Sequence, residues 1–339
     1  MTKFLKISAL FTFFAFIFAF LHITMPDIIS ADADGVAEIA MELNTGRVLH
    51  CKNERKKLPM ASTTKIMTAL IIIEDCNPDE EVIVPDEAVG TEGSSIYLKY
   101  GEKLTIRDLV YGLMLRSGND AAVALAIIHS GDTERFADAM NDRAQELVAS
   151  DTHFANPNGL PAENHYTTAK DLCNIARTAM QNEMFAKVVG TTDYRGDYRN
   201  FTNKNKLLYS FEGANGIKTG YTDRAGRCLV SSAERNGMDV VCVVLNCYDM
   251  YERSSEILSD CFRNFALETI SPERVFIWDG RRCSLKSDVE ICIEKDGEIE
   301  YVIVPVRTSD TRNIEEPIAQ LQIFSEKDLI FTANLYSIM

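Results

Sequence analysis

The chain has 339 residues and carries 50 acidic against 35 basic side chains, a net charge of -15. That length is enough for two domains of ordinary globular composition. The charge argues against a nucleic-acid binder, because phosphate contacts need clustered Lys and Arg.

Lys3 and Lys6 precede an uncharged, Phe-rich run from Ile7 to Ile23, and Pro26 follows. Ala31-Asp32-Ala33 places small residues at the spacing signal peptidase cuts, so residues 1–33 read as an export signal. The apolar run is about 17 residues, the lower end for a spanning helix, so an uncleaved anchor is the alternative. The small-residue site favours cleavage. Such an anchor is the one membrane contact the sequence suggests. In either case the rest of the chain is expected outside the cytoplasm, in the cell wall, on the membrane exterior or secreted.

The mature part opens with two strand-like runs around Asn44-Thr45-Gly46, a hairpin turn. "PMASTTKIMTALIII" then starts an apolar helix near Ser62 that Asn77-Pro78 ends. Leu104–Ser130 and Asp132–Val148 have apolar residues at helical spacing, with the polar "SGN" corner inside the first stretch. The segment "HFANPNGLPAENHYTT" is loop, and Thr168 to Asp171 leads into another helix. From Gly216 the pattern turns to strands, two of them around Asn236-Gly237, a strong hairpin signal. Asp260–Ile270 reads as a closing helix. A hairpin first, helices next and strands late predict one α/β domain over 34–271 whose sheet joins both ends of that stretch. Residues 272–339 have no helical pattern. Two strand-like runs flank Lys295-Asp296-Gly297 and a further strand pair follows, so a small all-β domain is expected there.

The nine cysteines include no CxxC pair and no His at zinc spacing, so no structural metal is expected. Cys228, Cys242 and Cys292 sit in apolar strand patterns and read as buried free thiols. Disulfides stay open in an exported chain.

Three motifs carry the chemistry. Ser62 and Lys65 are three apart, which on a helix puts both side chains on one face. A serine hydroxyl needs a base, and a lysine serves only when its pKa is lowered. Taken alone, Ser62 is more simply a helix cap, and a Ser-x-x-Lys should occur by chance about once in such a chain. "LRSGNDAA" adds Ser117 and Asn119, by itself an ordinary polar loop. "NGIKTGYTD" adds Lys218, Thr219 and Gly220, by itself a strand end with a turn glycine. The three in this order match the set of penicillin-binding proteins and β-lactamases, with Gly118 where the Ser-Asp-Asn form has Asp.

On these motifs, and on "MELNTGRVLHCKNERKKLPMASTTKIMTALIIIE", "GSSIYLKYGEKLTIRDLVYGLMLRSGNDAAVALA", "THFANPNGL" and "HYTTAKDL", the chain resembles the serine-type D-alanyl-D-alanine carboxypeptidases, low-molecular-mass penicillin-binding proteins. The resemblance implies an α/β fold: an antiparallel sheet flanked by helices, a helical subdomain and a small all-β C-terminal domain. It implies a stem peptide of peptidoglycan ending in D-Ala-D-Ala as substrate, β-lactams as inhibitors, and no cofactor. Ser62 would be the nucleophile, Lys65 its base and Ser117 a proton relay. Asn119 would hold the substrate amide, and Lys218, Thr219 and Gly220 would bind the substrate end. The backbone N–H groups of Ser62 and Tyr221 would form the oxyanion hole. Lys204 stands where many relatives carry Arg and is given no role.

Two rivals are a β-lactamase on the same fold and a non-catalytic penicillin-sensing or wall-binding module. A class A β-lactamase needs a loop glutamate to activate water. Glu163 in "PAENHYTT" reads as an exposed loop charge instead.

Overall fold

The computed structural model describes residues 35–306, 316–325 and 327–338. The apolar run and cleavage site of the expected export signal lie outside them. The described residues from Val36 onward form one compact unit.

β1 (Ala37–Glu42) and β2 (Val48–Lys52) pair antiparallel around the expected turn. Gly46 takes φ +73 there, and the Glu42 carboxylate accepts from the Thr45 N–H and hydroxyl. A 3-10 turn, Ala61–Thr64, runs directly into α1 (Lys65–Asp75). Every residue of α1 from Lys65 to Ile72 is buried, so this helix is the axis of the helical half. A ribbon of β3 (Glu81–Ile83) and β4 (Lys103–Thr105) precedes α2 (Ile106–Arg116). α3 (Asn119–Ser130), α4 (Thr133–Glu146), α5 (Ala169–Met180) and α6 (Glu183–Gly190) follow. Side-chain caps set several starts: Thr105 accepts from Asp108 N, Asp132 from Arg135 N and Thr168 from Asp171 N.

A second ribbon, β5 (Asp193–Arg195) with β6 (Asn200–Thr202), and the short α7 (Leu207–Ser210) lead to β7 (Ala214–Thr222), β8 (Gly226–Arg235) and β9 (Met238–Leu245). The main sheet has the order β2-β1-β9-β8-β7 and is antiparallel throughout. The N-terminal hairpin and the late strands therefore share one sheet, as the sequence predicts. Strand alternation divides its apolar residues between two cores. Ile39, Met41, Val241 and Val243 face the helices α1 to α6, while Ala40, Val240, Cys242 and Val244 face the other side.

α8 (Met250–Asn264) covers that other side, which corrects the helix expected over Asp260–Ile270. Met250, Ser254, Ile257, Leu258 and Cys261 recur on its buried face, so the helix starts earlier. It ends at Asn264, where the chain becomes β10 (Phe265–Ile270). β11 (Phe276–Trp278), β12 (Arg281–Ser284), β13 (Val289–Glu294), β14 (Ile299–Pro305), β15 (Ala319–Ser325) and β16 (Asp328–Ser337) complete an all-β tail. β13 pairs with β10, and β14 pairs with β15, so the runs beside Lys295-Asp296-Gly297 do not pair with each other. The ribbon β10–β13 bridges two cores: Leu267 and Cys292 pack in the second, Ile270 and Ile291 in a third.

All nine cysteines are free thiols, seven of them buried. Burial pushes Cys228 and Cys292 up to about 12, which keeps them protonated and unreactive. No helix of the described residues is long and apolar enough to cross a membrane.

Candidate active site

Ser62 lies inside the 3-10 turn and does not cap a helix. Neither the turn nor α1 has a side-chain cap. Thr63 donates its hydroxyl to Met60 O at 2.6 Å, and Thr64 donates to Ala61 O at 2.8 Å. Ala61, the residue before Ser62, has φ +48, a left-handed conformation that costs about 1–3 kcal/mol in a residue with a Cβ. Two close approaches hold this turn. A methyl group placed on Gly159 would fall 1.9 Å from Ala61 O, and one on Gly220 would fall 3.1 Å from Ser62 N. Each glycine lets a neighbouring backbone close on Ser62. The resemblance places Gly220 where the substrate end binds; in the fold it also admits the nucleophile's own turn.

His165 supports the turn from below. Its Nδ1 accepts the Ala155 N–H at 2.9 Å, so the proton is on Nε2, which donates to Thr64 Oγ1 at 2.8 Å. Burial holds the ring down to about 4, with His153 and Lys65 adding to the shift, so it is neutral at physiological pH.

Lys65 begins α1 and is fully buried. Its Nζ lies 3.0 Å from Ser62 Oγ and 2.7 Å from Asn119 Oδ1, and it also contacts the Asn158 carbonyl. Burial is the main cause that lowers its pKa well below 10.5. The charges of Lys218 and Lys204 act in the same direction, and Asp120 opposes them. A neutral amine has two N–H donors and one lone pair. In the neutral form Asn119 and Asn158 can take both donors, which leaves the lone pair for the Ser62 hydroxyl.

Ser117 and Gly118 form the corner between α2 and α3. Ser117 is buried at φ +63. Asn119 is engaged at both ends of its amide, with Oδ1 on Lys65 and Nδ2 donating to Glu92 O at 2.6 Å. The neighbouring Asp120 carboxylate accepts from Ser95 Oγ, Ile96 N and Leu98 N, which fixes the segment that brings Ser94 to the cleft. On β7, Lys218 is buried and donates to Thr219 O at 2.9 Å. Burial, aided by Lys204, brings its pKa down to about 7.

Ser62, Ser117, Thr219, Gly220 and Tyr221 line one open cleft of about 390 Å³. Lys65, Asn119 and Lys218 stand behind it. The structure thus brings together all eight residues singled out in the sequence. It adds the Asn158 carbonyl, Gly159 and His165 from the "HFANPNGLPAENHYTT" loop. It also places Lys204 and Arg227 on the cleft wall.

The sequence profile described as D-alanyl-D-alanine carboxypeptidase matches residues 24–248. The chain belongs to the D-alanyl-D-alanine carboxypeptidase family. Members of this family are serine hydrolases, and the site fits that class. The chain is 36% identical to the D-alanyl-D-alanine carboxypeptidase DacF of Bacillus subtilis over 229 residues, 65% of this chain and 59% of that one. It is 35% identical to a D-alanyl-D-alanine carboxypeptidase of a Streptomyces species, over 68% of this chain and 87% of that one. Penicillin binding protein 5 from Haemophilus influenzae superposes with TM-score 0.75 at 25% identity, covering 89% of this chain and 96% of that one. A match over 89% of the chain extends into the β-rich tail.

Proposed function

We propose that this carboxypeptidase removes the terminal D-alanine from peptidoglycan stem peptides through an acyl-enzyme on Ser62. The carrying observation is the buried Lys65 amine, 3.0 Å from Ser62 Oγ and in contact with Asn119 Oδ1 and the Asn158 carbonyl. Lys65 takes the Ser62 proton as Oγ attacks the carbonyl carbon of the penultimate D-alanine. The oxyanion is held by the backbone N–H groups of Ser62 and Tyr221; each such donor contributes about 3 kcal/mol. The proton on Lys65 passes through the Ser117 hydroxyl to the departing nitrogen. The C–N bond breaks and D-alanine leaves. Water then attacks the ester carbonyl and gives a proton to Lys65, which returns it to Ser62 Oγ as the acyl–oxygen bond breaks.

The cleft also suits the substrate's charge. Lys204 and Arg227 line it, and no carboxylate does, in a chain of net charge -15. Thr219 binds the terminal carboxylate in this reading, with the buried Lys218 nearby. β-Lactams acylate Ser62 by the same attack, and release is slow. Glu163 is exposed and does not line the cleft, so it does not act as a deacylating base. Such an enzyme works outside the cytoplasm, in line with the export signal expected over residues 1–33.

Release of D-alanine from an acylated D-Ala-D-Ala peptide tests the proposal beside Ser62→Ala. Wild type releases it and the variant does not. A wild type that is labelled by fluorescent penicillin but releases no D-alanine rules out the enzyme reading in favour of a sensor. Rapid repeated hydrolysis of a chromogenic cephalosporin favours a β-lactamase.

A further inference from the structure

Arg227 is an exposed arginine on the wall of the cleft, and its role rests on the carboxypeptidase reading that a substrate carboxylate enters there. Its guanidinium lies 4.8 Å from the centroid of the Tyr248 ring. Among the described residues its side chain has no hydrogen bond and no ion pair. Its carbonyl accepts from Cys247 N at 2.8 Å, which ties the arginine to the segment that carries Tyr248. A ring beneath the plane and unused donors at its edge are what a guanidinium needs to grip a carboxylate with two parallel hydrogen bonds.

The strand register says which carboxylate it meets. Tyr221 of β7 stands opposite Arg227 of β8, and Thr219 stands opposite Leu229. Thr219, Tyr221 and Arg227 therefore share one face of the sheet, with Lys218 on the other. Thr219 and Arg227 are diagonal neighbours, about 7–8 Å apart at their backbones, within reach of an arginine. Lys204 and Tyr251 line the cleft as well, and the Tyr251 hydroxyl donates to the Lys204 carbonyl at 3.5 Å. Lys204, Thr219 and Arg227 line the same cleft, so a carboxylate on the Thr219 hydroxyl would lie among two cations. Lys204 supplies only a point charge, whereas Arg227 supplies a planar fork.

We propose that Arg227 reads the free C-terminal carboxylate of the substrate together with Thr219, and so selects peptides ending in a free D-alanine over amidated or extended ends. A surface arginine merely stacked on a tyrosine makes no such distinction.

The test compares wild type, R227Q and R227K on an acylated D-Ala-D-Ala peptide and on its C-terminal amide. Release of D-alanine and of D-alaninamide is followed, and thermal unfolding checks the fold of each variant. R227Q should raise KM for the acid about tenfold with kcat changed less than about threefold. The ratio of kcat/KM between acid and amide should fall about tenfold in R227Q and less in R227K. A ratio within twofold of wild type in R227Q overturns the inference, whatever happens to the absolute rates. A wild type that releases nothing from either peptide overturns the carboxypeptidase reading and this inference with it. An active wild type with an unchanged ratio in R227Q overturns this inference alone.

Discussion

Gly159 and Ala61 meet so closely that a single methyl group on Gly159 would sit 1.9 Å from the Ala61 carbonyl oxygen. Gly159 also takes φ +86, a conformation a Cβ disfavours. Its segment is held from several directions. Thr68 of α1 donates to Pro157 O at 2.7 Å, and Asn156 Oδ1 accepts from Gly159 N at 2.8 Å. The same segment offers the Asn158 carbonyl to Lys65. Gly159→Ala should therefore displace the Ser62 turn and the lysine partner together. The expected outcome is a loss of acylation by fluorescent penicillin of at least about a hundredfold, since small misplacements of reacting groups cost that much. Stability should fall by about 1–3 kcal/mol, read by urea denaturation. Near-normal labelling by the variant would mean that the loop does not set the nucleophile's position.

Lys65→Arg tests whether the base must lose its proton. Arginine keeps a positive charge at every accessible pH, so it cannot accept the Ser62 proton. Loss of general-base assistance costs about 10²–10⁴ in rate. In wild type the acylation rate should rise with pH as Lys65 gives up its proton. Since burial holds that pKa well below 10.5, the plateau should be reached well below pH 10.5. Stopped-flow acylation against pH measures both. A flat wild-type profile at low pH, or a fast Lys65→Arg enzyme, would remove Lys65 from the base role.

The legible and illegible parts of this site differ in kind. Ser62, Ser117 and Lys218 stand in short local patterns, and Asn236-Gly237 marks its hairpin because both residues take positive φ, +54 and +80. The helix before β10 is hard to place because Asp260 to Ile270 is apolar enough for either state. Only pairing with β13 settles Phe265–Ile270 as strand. The Asn158 carbonyl is invisible for another reason: a main-chain oxygen has no residue type, so its contact with Lys65 depends on tertiary packing. The support from His165 through Thr64 is equally hidden, because these residues are far apart in the chain and meet only when the loop folds under the turn. Lys204 stands out in the sequence as a departure from its relatives, but only the fold gives its place on the cleft wall.

Glu38 on β1 and Arg253 on α8 fasten the outer helix to the sheet. The guanidinium donates from Nε and Nη2 to the two carboxylate oxygens, at 2.8 Å each, and His50 Nε2 adds a contact at 2.9 Å. Burial raises the Glu38 pKa, but the bonds and charges of Arg253 and His50 outweigh it and bring it down to about 2. Removing one partner of a buried pair costs about 3–5 kcal/mol, but Arg253 is 34% exposed, so Arg253→Ala should destabilise by less than that, with His50 softening the loss. A depressed carboxylate stabilises fully above its unfolded pKa of 4.5 and loses that contribution as pH falls towards 2. The acid limb between those values should therefore flatten in Arg253→Ala. Urea titrations at pH 7 and pH 3 check both points, and an equal loss of stability at the two pH values would refute the coupling.

Lys218 links stability to catalysis through a penalty, because its lowered pKa disfavours the fold at low pH. Its pKa is about 7 in the fold against 10.5 in the open chain. Between those values the unfolded state binds more protons, so its contribution to stability rises with pH from about 7 to 10.5. Across that window the slope is about 1.4 kcal/mol for a tenfold change in proton concentration. Lys218→Met removes the buried amine at similar volume. The variant should be more stable than wild type at pH 7, with the difference shrinking as pH approaches 10.5. It should also bind substrate poorly, and its residual acylation should need a higher pH, because the Lys218 charge helps to hold Lys65 down. Denaturation and penicillin acylation across pH 6 to 10 read the two effects on the same protein. An unshifted acylation profile in Lys218→Met would show that burial alone keeps Lys65 ready to accept the proton.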